Sequence, residues 1–111
     1  QPIPHLLLSN SLRAGVTGLA KTLSRELAPD GVTVNCLAPD AILTDRIRNL
    51  AAAAGGDLDE ELKRRAAEAP MGRFGDPAEF GAACAFLCSR QAGYITGQTL
   101  GVDGGALLGV Y

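Results

Sequence analysis

The segment from Pro4 to Gly31 most restricts what this chain can fold into. Leu8, Leu12, Val16, Leu19, Leu23 and Leu27 recur at steps of three and four, one apolar stripe at helical period. Pro4 suits a first helical turn, where its missing N–H costs nothing, so the run predicts one long helix. Pro29, Asp30 and Gly31 stop it, because Pro cannot continue a helix and Asp-Gly favours a turn. Val32 to Ala38 follows at once. It is short, β-branched and almost continuously apolar, which predicts a strand buried on both faces, as in a parallel sheet. A long helix, a tight turn and a buried strand form the second half of a βαβ unit, so the expected class is α/β.

Pro39 to Thr44 leaves that strand as a loop. In open α/β sheets ligands bind outside the carboxyl ends of strands, which makes the loop a candidate contact by position alone. Thr44 or Asp45 is placed to cap a short helix through about Ala53. Asp57 with Glu60 three later is a capping-box pattern, opening a charged helix to about Ala69. Its Glu60, Glu61, Lys63, Arg64, Arg65 and Glu68 read first as a solvated face with i,i+4 pairs. A mobile lid is the sharper alternative, because the helix follows the ligand loop and the hinge-like Gly55-Gly56. Asp76, Pro77 and Glu79 open another helix to about Cys88, with Phe80, Ala83, Cys84, Leu87 and Cys88 expected on its inner face. Gln98 to Val102 reads as a short last strand, stopped by Asp103-Gly104-Gly105. The apolar tail Ala106 to Tyr111 is expected to pack against the core or a partner subunit.

Composition narrows the function classes. With 111 residues, 47% of them apolar but only 5% aromatic, the core must come from Leu, Val and Ala. Ten basic against twelve acidic residues give no support for a nucleic-acid surface or a polybasic membrane contact. No apolar run approaches the ~18 residues of a spanning helix, and no signal peptide is visible. Cys36, Cys84 and Cys88 make no even disulfide framework and no zinc spacing, so they are expected as small buried apolar thiols in a reducing, cytoplasmic compartment. His5 lies four before Ser9, but no strained Gly-x-Ser-x-Gly turn and no local acid accompany them, which argues against a hydrolase.

Five stretches, taken together and in order, resemble the C-terminal half of the short-chain dehydrogenase/reductase family, in the compact form of the 3-oxoacyl-[acyl-carrier-protein] reductases. They are Arg13 to Leu19, Leu27 to Asn35, Ala38-Pro39 with Thr44, Gly72 to Glu79, and Ile95 to Gln98 leading to Val102 to Gly105. The resemblance implies the back half of a doubly wound Rossmann-type domain over residues 1–111. The glycine-rich cofactor turn and the catalytic serine of the family would then lie in roughly 130 residues preceding Gln1, consistent with a one-domain parent. It also implies NAD or NADP as cofactor, a small carbonyl or alcohol substrate, a substrate-covering segment from Asp45 to Ala69, no metal, and a homo-oligomer, dimer or tetramer.

The family's active-site pair is a Tyr followed four residues later by a Lys in this same long helix. Aligning on Ala14, Val16, Gly18 and Leu19 puts Ser9 at the Tyr position and Arg13 at the Lys position. Both types differ. A phenol near pKa ~10 can be lowered by a nearby cation until it passes a proton to a carbonyl; an alkyl hydroxyl is a far weaker acid. Arg13 keeps the positive charge, in a planar fork instead of an ammonium, and is carried over as a cofactor contact as well. Pro39, Ile42 and Thr44 are carried over as cofactor-facing, Ile42 through its backbone and Thr44 through its hydroxyl. Asp40 replaces the glycine that usually follows the loop proline. The expected function is an NAD(P)-dependent oxidoreductase whose acid–base residues are altered; the alternative is a non-catalytic member that keeps the fold for dinucleotide binding or subunit assembly.

Overall fold

The computed structural model describes residues 2–110, which comprise four helices and two strands. In order they are α1 (Leu7–Glu26), β1 (Cys36–Pro39), α2 (Asp45–Ala53), α3 (Leu58–Ala66), α4 (Pro77–Leu87) and β2 (Thr99–Val102), with short 3-10 turns at Ala28–Asp30 and Arg90–Ala92. β1 and β2 are neighbours in a two-stranded parallel sheet, the α/β class expected. Two compact units are distinguished, one of residues 2–37 and 85–100 and the other of residues 38–84 and 101–110.

In the first unit α1 begins three residues later than Pro4 predicts. His5 adopts a left-handed φ of 65°, which breaks helical continuity before Leu7. Asn10 then holds the lead-in turn: its Oδ1 accepts from the Ile3 N–H at 3.1 Å and its Nδ2 donates to the Ile3 carbonyl at 2.8 Å. At the other end the stop is as read, through a 3-10 turn and Gly31 at φ 73°. The apolar stripe is covered unevenly. Leu23 and Leu27 are half-buried, whereas Leu8, Leu12, Val16 and Leu19 are exposed. The helix is fixed at its C-terminal half, where Ser24 is buried and Lys21 Nζ donates to the Gly97 carbonyl at 2.8 Å. Gly97 sits at φ 68°, and a Cβ there would lie 2.6 Å from Ser24 Oγ, so only glycine fits without displacement.

The strand predicted over Val32 to Ala38 is shorter and less buried than expected. Val32 is exposed and ladder pairing covers only Cys36–Pro39. Just before it, the Val34 N–H donates to Thr96 Oγ1, the Val34 carbonyl accepts from the Gly97 N–H at 2.8 Å, and Asn35 bonds Ile95 and Gln98 with its two amide ends. One neighbouring strand cannot cover a strand as a full parallel sheet does.

In the second unit the caps read from the sequence are present. Asp57 accepts from the Asp59 and Glu60 N–H groups, and α3 ends at Ala66. Thr44 occupies the N-cap of α2, but its hydroxyl makes no capping bond. Asp76 and Glu79 cap α4 from both sides: Asp76 Oδ1 accepts from the Ala78 N–H and Glu79 Oε2 from the Asp76 N–H. α3 is laced by Glu60–Lys63, Glu61–Arg64, Glu61–Arg65 and Arg64–Glu68 pairs; Glu60, Lys63, Arg64 and Glu68 are solvated as expected, whereas Glu61 and Arg65 are half-buried. The two arginines hold Glu61 down to about 2 from an ordinary 4.5.

Two burial expectations fail. Cys84 and Cys88 are exposed and Cys36 is half-buried, and all three are free thiols. The fully buried apolar residues among those described are Ala51, Ala69 and Ala92, with no Leu or Val. α4 is apolar nearly all round, so its sequence alone does not single out the face that is covered; Phe80, Ala83 and Leu87 are half-buried while Phe86 is exposed. In the tail, Leu107 approaches Gly101, but Leu108 and Val110 are exposed; Tyr111 lies outside the described residues. No helix among the described residues is long and apolar enough to cross a membrane.

Candidate functional site

Ser9 and Arg13 lie in the first two turns of α1, one helical repeat apart, so they share a face. Ser9 is half-buried and Arg13 exposed. Neither side chain is engaged in a hydrogen bond or ion pair among the described residues. The left-handed His5 lies outside the helix, which removes the i,i+4 adjacency that a Ser–His pair would need. Beside the same helix is a hollow of about 280 Å³ lined by Thr17, Lys21, Val34, Cys36 and Gly97 among others. Its one ammonium is already engaged by the Gly97 carbonyl.

Pro39, Ile42 and Thr44 come together on one loop of the second unit. Pro39 ends β1, and the Asp40 N–H donates to the Val102 carbonyl at 3.3 Å, carrying the pairing one residue further. Ala41 then takes φ 46°, a left-handed conformation unusual for a residue with a side chain. That turn sends Ile42 alongside Gly75 in an isolated parallel bridge. The Gly75 N–H donates to the Ala41 carbonyl and the Leu43 N–H donates to the Gly75 carbonyl, each at 2.9 Å. The Thr44 N–H closes on the Ile42 carbonyl at 2.9 Å, and α2 starts there.

Two polar groups are left free by this arrangement. Among the described residues the Ile42 N–H and the Thr44 hydroxyl have no protein partner. A donor and a hydroxyl two residues apart, on a loop at the carboxyl end of a strand, are suited to an amide or a phosphate of a ligand. The loop borders a cleft of about 330 Å³ lined by Asp40, Ile42, Met71, Arg73, Gly75, Glu79 and the 101–105 turn. In that turn Asp103 accepts from the Gly105 and Leu107 N–H groups. No group of three or more His, Cys, Asp or Glu side chains suited to a metal occurs among the described residues.

The segment before α4 carries an ion pair that local sequence patterns do not signal. Arg73 forms a two-bond fork on Glu79, Nη1 to Oε2 and Nη2 to Oε1, both at 2.8 Å, and Nη1 also donates to the Phe74 carbonyl. Arg73 and the Asp76 N–H hold the Glu79 carboxyl down to about 2 from 4.5. The capping box pointed to Glu79, but a partner six residues earlier leaves no periodic signal.

The family described as enoyl-(acyl carrier protein) reductase matches residues 2–106. A 3-oxoacyl-[acyl-carrier-protein] reductase, FabG of Vibrio cholerae, is 47% identical over 93 residues, which cover 84% of this chain and 35% of that protein. YwfH, an NADPH-dependent reductase involved in bacilysin biosynthesis, superimposes with a TM-score of 0.90 at 34% identity, over 99% of this chain and 43% of its own. An NADPH-bound short chain oxidoreductase of Pseudomonas aeruginosa with an atypical catalytic center gives a TM-score of 0.84 at 32% identity, over 100% of this chain and 42% of its own. The chain thus spans about a third of the length of the curated relatives it matches.

Proposed function

This chain belongs to the short-chain dehydrogenase/reductase family, and from that premise we propose that it is the back half of a nicotinamide-dependent oxidoreductase domain that interconverts a small carbonyl and an alcohol. The observation that carries this reading is the loop from Pro39 to Thr44. It keeps a free N–H at Ile42 and a free hydroxyl at Thr44, on a backbone fixed by Gly75. Those groups fit the carboxamide and phosphate ends of NAD or NADP. When bound, the cofactor supplies or accepts the hydride.

The chain's own contribution to the proton is unusual. Ser9 offers a hydroxyl that can hydrogen-bond a substrate oxygen but is too weak an acid to match a phenol. Arg13 supplies a permanent positive charge and a planar set of donors. Its guanidinium is not neutralised within the described residues, so it is available to a ribose hydroxyl or to a developing oxyanion. Asp45 to Ala69, comprising α2 and the ion-paired α3, is the proposed cover over the substrate. The protein is proposed to work in the cytoplasm as a dimer or tetramer.

A second reading, binding without turnover, is favoured by the residue types at Ser9 and Arg13. A structural neighbour that is an NADPH-bound short chain oxidoreductase containing an atypical catalytic center lends this reading support. The test is to titrate the full-length protein containing this chain with NADH and NADPH, then add ketones and 3-oxoacyl thioesters. Binding with loss of nicotinamide absorbance is expected. Binding without loss selects the second reading, and no binding of either dinucleotide sinks both.

A further inference from the structure

The segment Arg73 to Glu79 contacts the cofactor-facing loop through a single glycine. Gly75 uses its N–H on Ala41 and its carbonyl on Leu43, so it grips the loop on both sides of Ile42. The Ile42 side chain lies over it as well: a Cβ on Gly75 would stand 2.7 Å from Ile42 Cδ1. Gly75 is in turn held from both directions along the chain. Arg73, two residues before, and Glu79, four after, close a ring through the two-bond fork. The same carboxylate accepts from the Asp76 N–H, and Arg73 binds the Phe74 carbonyl, so the peptide groups on both sides of Gly75 are tied to one ion pair. Planar forks of this kind fix direction as well as distance.

We propose that Arg73 and Glu79 are positioning residues for the dinucleotide: their fork sets Gly75, and Gly75 sets the Ile42 N–H and the start of α2 at Thr44. The role rests on the nicotinamide reading given above. Neither side chain touches the cofactor in this assignment. The pair is half-exposed, and an ordinary exposed pair of that kind contributes little to stability. Its effect is therefore expected in loop geometry more than in the unfolding equilibrium.

The test uses the full-length protein with Arg73→Met, Glu79→Gln and Arg73→Lys, and three readouts: thermal unfolding, amide hydrogen exchange at Gly75 and Leu43, and the dissociation constant for NADPH. Exchange at both amides is expected to quicken about tenfold in Arg73→Met and Glu79→Gln, and the NADPH dissociation constant to rise about tenfold, with little change in unfolding temperature. Arg73→Lys, which keeps the charge and loses the fork, is expected to fall between. A lysine variant equal to wild type would overturn the fork as the device. Wild-type binding with unchanged affinity in the variants overturns the positioning role alone; failure of the wild type to bind overturns the nicotinamide reading and this role with it. Should the arginine and glutamate variants not fold, Gly75→Ala leaves the ion pair in place and displaces Ile42. It is expected to weaken NADPH binding by a similar factor, and unaltered binding there also refutes the proposal.

Discussion

The front of α1, in the first unit, and the Pro39–Thr44 loop, in the second, are held in different ways. Ser9 and Arg13 stand on a helix whose neighbouring Leu8, Leu12 and Val16 are 77%, 71% and 62% exposed. Among the described residues their backbone is held by the helix ladder and by the Asn10 bonds to Ile3. The loop is gripped by Gly75 on two sides, by Val102 at its start and by the Ile42 side chain. A residue whose backbone is bonded on both sides cannot move without cost. The difference bears on the proposal: the loop proposed to face the cofactor has a backbone tied on both sides, while Ser9 and Arg13, placed by resemblance at the family's Tyr and Lys positions, differ from both in type.

The largest effect should come from restoring the pair. Ser9→Tyr with Arg13→Lys is expected to raise carbonyl reduction by about a hundredfold or more in the full-length protein, the usual scale of a placed general acid. Nicotinamide absorbance measures it, and no gain would show that these two positions are not the proton station. Next is the fixed half of α1. Gly97→Ala forces a left-handed residue against Ser24 Oγ, and denaturant unfolding should show a loss of about 1–3 kcal/mol. A neutral result would mean that the anchor at Lys21 and Ser24 is slack.

Smaller effects sharpen the contrast. A Cβ at Gly15 meets nothing within 4 Å. Gly15→Ala should therefore stabilise the free half of α1 by about 0.5–1 kcal/mol; destabilisation would reveal that a partner packs closely there. The smallest effect is the acid dependence of the loop's ion pair. Glu79 falls from 4.5 to about 2 on folding, held first by Arg73 and then by the Asp76 N–H. A depressed carboxyl stabilises fully above pH 4.5, and that contribution is lost as the pH falls towards 2. Glu79→Gln should flatten unfolding temperature against pH in that window, modestly because solvent screens the pair. An unchanged slope would assign the acid sensitivity to Glu61 and its two arginines.

Much of the fold could be read directly from residues with one local meaning. Pro29 to Gly31 stop α1, Asp57 opens α3, and the box at Asp76 and Glu79 opens α4, because caps and breakers act within four residues. The start of α1 was hidden by a bond between Asn10 and Ile3 and by a left-handed His5, neither of which has a periodic signature. The inner face of α4 was misjudged at Cys84 and Cys88 because an all-apolar helix does not say which side is covered. The same holds for β1, whose apolar run states a capacity for burial rather than the neighbours that supply it. In the candidate site, Pro39, Ile42 and Thr44 were singled out through the family motif and lie on one loop, but the Arg73–Glu79 fork had no sequence signal, since it joins residues through space around a glycine.

Asn35 carries a consequence for how this protein ages. Its carboxamide donates to the Ile95 carbonyl at 2.8 Å and accepts from the Gln98 N–H at 3.1 Å, standing in for a missing stretch of ladder just before β1. Hydrolysis of that amide to a carboxylate would keep the acceptor and turn the donor into a negative oxygen facing a carbonyl. A single spontaneous chemical change, with no alteration of the gene, would then leave the lead into the sheet to the Val34 bonds with Thr96 and Gly97.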